Sequence, residues 1–169
     1  MESQEAMHLT LMRHAPAEPQ AASADPGAND AARPLTREGR RKLRRLRDAL
    51  RRADLGFDRL LYSPLTRAVE TAQLLMPLVN GPAQVEPLLA APPSEALLAR
   101  LVGERPLAVG HQPWLGELVS WLVLGDRRHG EAFEWKKGGL ALLIGEPVPG
   151  GMHLVGFLPP GLLRRMDRP

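Results

Sequence analysis

The sequence predicts a three-layer α/β/α sandwich built on a mostly parallel sheet. Short apolar runs alternate with amphipathic helical segments over most of the 169 residues, which is typical of a parallel α/β fold. A composition of 44% hydrophobic and 4% aromatic residues suits one domain, spanning 1–169, with a single large core. The last two predicted strands are joined only by the Pro/Gly-rich stretch 146–151, which predicts a hairpin at an antiparallel edge.

The first predicted strand is an apolar run from Leu9 that ends abruptly at Arg13 and His14. In open α/β sheets, ligands bind at the carboxyl ends of the strands, so this junction is a candidate site. An isolated Arg-His pair is more often a surface charge beside a structural histidine. Two later strand ends change that balance.

The segment 16–34 consists mainly of Ala, Pro, Asp, Ser, Gly and Asn, and it leaves directly from His14. We expect a mobile loop there, and both a lid or rim role and plain disorder remain open. The basic helix predicted at 37–52 follows, capped by Thr36, with an apolar face of Leu43, Leu46 and Leu50. No aromatic residue is interleaved among its arginines, so a solvated face is expected rather than a nucleic-acid site.

The remaining elements alternate in the same way. Their predicted ranges are strands at 57–62, 84–87, 106–110, 139–144 and 152–157 and helices at 65–79, 94–102 and 113–124, followed by a tail interrupted by Pro-Pro-Gly. Met76 is predicted on the apolar face of the helix at 65–79, and Ser94 is predicted to cap the helix at 94–102. The predicted core face of the helix at 113–124 consists of Trp114, Leu118, Trp121 and Leu122.

The second informative strand end is Ser63-Pro64-Leu65-Thr66-Arg67-Ala68. Ser63 and Pro64 fit the N-cap and first helical positions, and Arg67 follows in the first turn. Because helical side chains lean toward the N-terminus, Arg67 can reach back over the strand end and join the free backbone N–H groups. That combination suits a phosphate, although an isolated Arg67 would be read as an ordinary exposed helix arginine.

The third strand end is Val109-Gly110-His111-Gln112-Pro113, where an apolar strand again stops at a histidine. Parallel strands end on the same side of a sheet, so two imidazoles and two guanidiniums can converge there if the strands are neighbours.

These three motifs, in this order, resemble those of the histidine phosphatase superfamily, the phosphoglycerate mutase-like branch, and most closely the small SixA-type phosphohistidine phosphatases. The resemblance covers nearly the whole chain. It implies that His14 is a nucleophile that becomes transiently phosphorylated, and that Arg13, Arg67 and His111 hold the phosphoryl group. It also implies partners such as a histidine phosphotransfer domain or a phosphocarrier protein.

Elementary chemistry agrees with these implied roles. Neutral imidazole is nucleophilic near pH 7, and fixed donors stabilise the charge that spreads over a phosphoryl transition state. A protonated His111 would add a further donor. The sequence has no cysteine and no clustered metal-ligand spacing, so we expect neither a metal nor a cofactor.

Two positions depart from the family, since Ala15 stands where glycine is commoner and Gln20 where phosphoglycerate mutases carry asparagine. The general acid is also not evident, and the available carboxylates are Glu86, Glu95 and Glu18. An alkoxide leaving group needs such an acid, whereas an imidazole with a pKa of about 6.5 leaves readily. A weak or absent acid therefore fits a phosphohistidine substrate.

The expected function is therefore hydrolysis of phosphohistidine on a partner protein through a phosphohistidine intermediate on His14. A small-molecule phosphomonoesterase is the nearest alternative, and a non-catalytic phosphoprotein-binding module is an alternative of another class. We expect a monomer that binds no nucleic acid and no membrane.

The polar, acidic stretch 1–7 resembles no secretory signal, and no apolar stretch is long enough to cross a bilayer, so a cytoplasmic location is expected. For the lysines of 135–138, a solvated turn is expected, with a pocket rim as the alternative.

Overall fold

A computed structural model describes residues 6–20 and 30–166 of the chain. Six strands form one sheet: β1 Met7–Arg13, β2 Arg59–Tyr62, β3 Ala83–Val85, β4 Pro106–Gly110, β5 Leu140–Gly145 and β6 Met152–Leu158. The α-helices are α1 Arg37–Arg52, α2 Thr66–Leu75, α3 Glu95–Leu98, α4 Trp114–Leu124 and α5 Pro160–Met166.

The sheet has the strand order β3-β2-β4-β1-β5-β6. The pairs β2–β3, β2–β4 and β1–β4 are parallel, while β5 runs antiparallel to both β1 and β6. The predicted α/β sandwich with a mostly parallel sheet and an antiparallel edge is confirmed. The antiparallel part is larger than expected, because it includes the inner strand β5 as well as the edge strand β6.

The sheet separates two apolar layers because successive strand residues point to opposite faces. On one face, Met12 and Val109 pack with the apolar stripe of α1 and with α2. On the other face, Leu11 and Ala108 pack with the buried side of α4 and with α3. Both faces of β1 are therefore covered, and the ends of the strands are left to carry polar residues.

Helix α1 forms as its pattern predicts. The hydroxyl of Thr36 accepts a hydrogen bond from the Gly39 N–H at 2.8 Å, and this satisfies one of the free donors of the first turn. Its predicted apolar stripe is buried, consisting of Leu43, Leu46 and Leu50.

Helix α2 begins and ends differently from the prediction. Its N-cap is Leu65, so the predicted N-cap at Ser63 and first helical position at Pro64 are wrong; the Ser63 hydroxyl instead accepts from the Leu65 N–H at 3.2 Å, before the helix starts. The helix gives way at Met76 to a single 3₁₀ turn, because Pro77 has no N–H to continue the α-helical pattern. Met76 is 41% exposed, so its predicted core position is also wrong.

The second half of the chain departs from the prediction in three places: the length of one helix, the buried face of another and the structure of the tail. Helix α3 is one turn long, although Ser94 caps it as predicted. The core face of α4 is rotated relative to the predicted one, because this helix is apolar nearly all round: Trp114 and Trp121 are only half-buried. The residues that face the core are Leu115, Leu118, Val119 and Leu122. The Pro-Pro-Gly tail forms α5, since proline is well accommodated in a first helical turn.

The segment 16–34 is described only at its two ends, and residues 21–29 lie outside the described residues. Ala17 bridges Leu35, and the Glu18 N–H donates to the Pro34 carbonyl at 2.9 Å. The ends of the predicted loop therefore lie side by side. Within the described part of the chain, no helix combines the length and the apolar character that crossing a bilayer requires.

Candidate active site

Three neighbouring strands end together at one edge of the sheet. The His14 N–H donates to the Gly110 carbonyl at 3.1 Å, and the Ser63 N–H donates to the Val109 carbonyl at 3.1 Å. These bonds extend the parallel ladders by one residue beyond β1 and β2. As a result His14, His111 and Ser63 lie next to one another, in the order that the sheet imposes.

His14 is buried, with 5% of its surface exposed, and its ring orientation is fixed by its own chain. Nδ1 lies 2.7 Å from the Ala15 carbonyl oxygen, so Nδ1 carries the proton and donates. Burial lowers the pKa of His14 to about 3, against the opposing hydrogen bond to Ala15 and with help from the nearby His111, Arg67 and Arg13. At neutral pH His14 is therefore uncharged, with its lone pair on Nε2.

His111 packs against His14, with the two ring centroids 5.2 Å apart. Its Nε2 lies 2.7 Å from the hydroxyl oxygen of Ser63, which is fully buried. Burial, together with the positive charge of Arg67, lowers the pKa of His111 to about 4. The protonated His111 considered from the sequence is therefore not the resting form near pH 7.

Arg67 enters the site from the first turn of α2 and is 6% exposed. Thr71, one turn later, donates from its hydroxyl to the Arg67 carbonyl at 2.7 Å and accepts from the Ala15 N–H at 3.0 Å. This one hydroxyl ties the backbone beside His14 to the helix that carries Arg67. Two of the backbone N–H groups expected to be free there are bonded, since that of Thr66 donates to the Ala31 carbonyl at 2.9 Å and that of Leu65 to the Ser63 hydroxyl at 3.2 Å.

Arg13 is held from the other side by the segment that precedes β5. Its Nη1 donates to the Trp135 carbonyl at 2.6 Å, and the Gly138 N–H donates to the Arg13 and His14 carbonyls at 3.0 Å each. Burial, and then the repulsion of Arg67, lower the pKa of the Arg13 guanidinium. The two guanidiniums are thus close enough to repel each other.

Three buried nitrogens in this cluster make no hydrogen bond: Nε of Arg13, Nε of Arg67 and Nδ1 of His111. Buried polar atoms are nearly always paired in folded proteins, and each exception asks for an explanation. Here the three unpaired nitrogens lie in one cluster with the guanidinium groups of Arg13 and Arg67, which repel each other. The arrangement suits an oxyanion that would accept from several of these groups at once.

A carboxylate not expected from the sequence also reaches the site. Asp30 accepts from Arg67 through its backbone carbonyl at 2.8 Å and through Oδ2 at 3.2 Å. Arg33 donates to the other carboxylate oxygen at 2.8 Å. Burial raises the pKa of Asp30, but the attraction of Arg67 and Arg33 outweighs this effect and leaves the pKa below its ordinary value.

The three predicted acid candidates lie in different surroundings. Glu86 is buried just past β3, where its carboxylate accepts from the Leu88 N–H at 3.1 Å and lies 3.8 Å from Arg100. Glu95 and Glu18 are exposed. In the part of the chain that the structure describes, none of these three carboxylates hydrogen-bonds to Arg13, His14, Arg67 or His111, and their role as acid stays a prediction.

Lys137 is exposed, yet it lies close enough to the site for its charge to be repelled by the arginines there. Partial burial, followed by the repulsion of Arg13, Arg33 and Arg67, lowers its pKa. Lys136 and Lys137 are exposed and a turn forms at 137–138, as expected. Trp135 is 3% exposed, however, and Lys137 lines the cavity beside Ala15, so the pocket-rim alternative also describes Lys137.

Sequence reasoning missed Asp30, Thr71 and the hydrogen bond from Ser63 to His111. Thr71 could have been found, since it lies four residues after Arg67 and so on the same helix face. Asp30 gives no signal, because it sits in a low-complexity stretch where an aspartate is unremarkable in composition. Among the described residues there is no group of three or more His, Cys, Asp or Glu side chains placed to hold a metal ion.

Comparison with known proteins decides the family. Residues 9–91 match the family model described as histidine phosphatase superfamily (branch 1). The chain is 31% identical to the phosphohistidine phosphatase SixA of Escherichia coli K12 over 129 residues, which is 71% of this chain and 76% of that protein. This chain belongs to the histidine phosphatase superfamily.

Two solved structures share the fold of this chain. The structure of the protein histidine phosphatase SixA complexed with tungstate matches with a TM-score of 0.72 and 27% identity, covering 93% of this chain and 99% of that one. The phosphoserine phosphatase of Entamoeba histolytica matches with a TM-score of 0.68 and 16% identity, covering 90% and 97% respectively, and this similarity concerns the fold alone. The chain is a phosphatase of the superfamily.

Proposed function

We propose that this phosphatase hydrolyses phosphohistidine on a partner protein, with His14 as nucleophile and Arg13, Arg67 and His111 as the groups that hold the phosphoryl moiety. The observation that carries the substrate assignment is the pairing of Asp30, a carboxylate in contact with Arg67. Oδ2 accepts from Arg67 and Oδ1 from Arg33, so the ionised form is stabilised and Asp30 is a poor proton donor. A leaving group that needs no strong acid fits such a site.

The first chemical step follows from the orientation of His14. Its Nδ1–H donates to Ala15, which leaves the Nε2 lone pair to attack phosphorus. The phosphorus–nitrogen bond of the substrate breaks, and the substrate imidazole departs with a proton taken from solvent. Imidazole has a pKa of about 6.5 and leaves far more readily than an alkoxide.

The second step releases inorganic phosphate. Water attacks the phosphoryl group on Nε2 of His14 and loses a proton to solvent, and the bond between nitrogen and phosphorus breaks to restore neutral His14. In both steps the negative charge on the equatorial oxygens is stabilised by the fixed donors of Arg13 and Arg67. His111 packs beside His14, and its unpaired Nδ1 is available for a hydrogen bond with the phosphoryl group.

A protein substrate is supported by the surface around the site. On one flank, Lys42, Lys137 and Arg164 line a cavity next to Ala15, and no carboxylate is among the described residues that line it. The surface groove on the other flank, which includes Arg13, is of mixed charge, since Arg127 and Arg128 line it together with Glu117, Glu131 and Glu134. The cationic flank suits the acidic surface of a phosphorylated protein.

A small-molecule phosphomonoesterase is the second candidate, and one observation favours it. Glu86 is a buried carboxylate just past β3, a strand that ends at the same edge as β2. If Glu86 turned toward the site, it would be an acid for an ester substrate.

The test compares phosphate release from two substrates in a metal-free buffer: a histidine phosphotransfer domain phosphorylated with phosphoramidate, and phosphoserine, an ester whose alkoxide leaving group needs a proton donor. We expect kcat/KM to favour the phosphoprotein by about 100-fold or more, which is the discrimination that a missing acid predicts. The His14→Ala variant should lose activity on both substrates, and the spontaneous loss of phosphate from the phosphoprotein is subtracted as a blank.

Glu86→Gln separates the two candidates. The phosphohistidine assignment predicts that this variant retains its activity on both substrates. Equal or better turnover of the ester, together with a selective loss of ester activity in Glu86→Gln, would instead establish the phosphomonoesterase. Activity on both substrates that survives in His14→Ala would contradict the catalytic role of His14.

A further inference from the structure

The carboxylate of Asp30 accepts a hydrogen bond from the tip of Arg67, a group that can also bind phosphate. Arg67 directs Nη2 at Oδ2 of Asp30 and Nη1 at the Asp30 carbonyl. Guanidinium groups bind carboxylates and phosphates through the same pairs of N–H donors. Of the five N–H groups of Arg67, the one on Nε is buried without a partner, while the two nitrogens at the tip already serve Asp30.

The two contacts to Arg67 differ in how easily they can be given up. The backbone after Asp30 is fastened to α2, because the Ala31 carbonyl accepts from the Thr66 N–H and the Leu35 N–H donates to Glu70 at 2.6 Å. The Asp30 carbonyl is therefore held in place. The side chain is 40% exposed, so it can leave Arg67 by side-chain rotation that also gives up its contact with Arg33, while the backbone stays in place.

Charge also makes the carboxylate a competitor. Asp30 is a negative group beside a cluster that includes Arg13, Arg33 and Arg67. A phosphoryl group brought to the same cluster has the same sign and the same acceptor chemistry as this carboxylate. The two anions would repel each other if both stayed on Arg67.

On these grounds, and resting on the proposed function, we propose that the Asp30 carboxylate is an internal occupant of the phosphoryl-binding arginine, displaced by the phosphoryl group of the substrate while the Asp30 carbonyl keeps Arg67 oriented. Asp30 is then an affinity-determining residue. It weakens the binding of every oxyanion, including the product phosphate, and so favours release of the product.

The experiment measures oxyanion affinity and turnover separately in the full-length protein. Titration calorimetry with inorganic phosphate and with tungstate gives Kd, and para-nitrophenyl phosphate gives KM and kcat. In Asp30→Asn and Asp30→Ala we expect Kd and KM to fall about threefold to fivefold, the size expected for a partly exposed ion pair, with kcat within about twofold of the original.

Asp48→Asn is the matched control. Asp48 also accepts from two arginines, Arg47 and Arg51, but it lies on the outer surface of α1. Its replacement removes the same charge and should leave Kd, KM and kcat unchanged.

Two results would overturn the proposal. An unchanged or raised Kd and KM in both Asp30 variants would show that the carboxylate does not compete. A fall in kcat of tenfold or more would show that the carboxylate positions Arg67 for catalysis. These results are distinct from failure of the proposed function, which would appear as activity retained in His14→Ala or as an absence of oxyanion binding by the unaltered protein.

Discussion

Two arginine–carboxylate pairs lie one helical turn apart along α2, and they differ in how completely they are satisfied. Arg40 donates to the Leu35 carbonyl at 2.6 Å and to Oε1 of Glu70 at 2.5 Å, while Oε2 of Glu70 accepts from the Leu35 N–H. In the Arg40–Glu70 pair, both carboxylate oxygens accept hydrogen bonds, and the pair joins the start of α1 to α2; we call this a closed pair. The Arg67–Asp30 pair is not closed in this sense, since Nε of Arg67 is buried without a partner.

We infer from this difference that the Arg40–Glu70 pair is structural and that Arg67 belongs to the proposed binding site. A closed pair exchanges every desolvated donor for a protein acceptor, so it can stabilise the fold without attracting a ligand. Around Arg67, Arg13 and His111 also bury unpaired nitrogens, and the positive charges repel one another. A cluster of this kind is costly when empty and becomes favourable when an oxyanion binds.

The largest expected difference between the two pairs is in catalysis. Arg67→Lys removes the planar fork of donors from the proposed phosphoryl site, and we expect kcat on para-nitrophenyl phosphate to fall about 100-fold or more. Arg40→Lys, a matched change in the Arg40–Glu70 pair, should keep kcat within about threefold and lower the free energy of unfolding in urea. Equal losses of activity in the two variants would contradict a difference in role between the Arg67–Asp30 pair and the Arg40–Glu70 pair.

The pH dependence of stability tests the electrostatics of the catalytic side. His14 and His111 have folded-state pKa values of about 3 and about 4, below their ordinary 6.5. Between pH 6.5 and 4 the unfolded chain binds protons at these histidines that the folded chain does not, so stability falls as the pH falls through this window.

The double variant His14→Asn/His111→Asn should therefore lose about 6 kcal/mol less stability than the original protein between pH 7 and pH 4, about 3 kcal/mol for each histidine. Urea unfolding at each pH measures this difference, and the carboxylates common to both proteins cancel. Identical pH profiles would mean that the two imidazoles are not held neutral by the fold.

A smaller effect is expected at Ser63, which contacts His111 rather than the phosphoryl group. Ser63→Ala removes the 2.7 Å hydrogen bond to His111, and we expect kcat to fall about tenfold because the ring loses its fixed orientation. Ser94→Ala is the control, since that hydroxyl caps α3 and should affect only stability, by about 1 kcal/mol. A Ser63→Ala variant with unchanged kcat would make Ser63 purely structural.

The same contrast shows what the sequence could predict. Arg13, His14, Arg67 and His111 could be placed together because each stands at a strand end or in the helical turn after one, and parallel topology brings such ends to one edge. The cap of α1 and the stripe of Leu43, Leu46 and Leu50 follow from local chemistry and periodicity. These features depend on neighbours that are near in sequence or fixed by the sheet.

Features that depend on side-chain contacts between distant segments could not be predicted in this way. The Asp30–Arg67 pair joins residues 37 positions apart, and the Ser63–His111 hydrogen bond joins residues 48 positions apart. The core face of α4 was predicted incorrectly for another reason. This helix is apolar nearly all round, so the spacing of its apolar residues does not indicate which side faces the core. Met76 was misplaced because the helical period was extended past the point where Pro77 ends it.

The most direct test of the account is to trap the phosphorylated protein and locate the phosphoryl group. Rapid mixing with para-nitrophenyl phosphate is quenched in alkaline denaturant, and peptide mapping with NMR then identifies the residue and the ring nitrogen. The account predicts acid-labile phosphate on Nε2 of His14, because Nδ1 is committed to the Ala15 carbonyl. Phosphate on Nδ1 of His14, on His111 or on no histidine at all would contradict it.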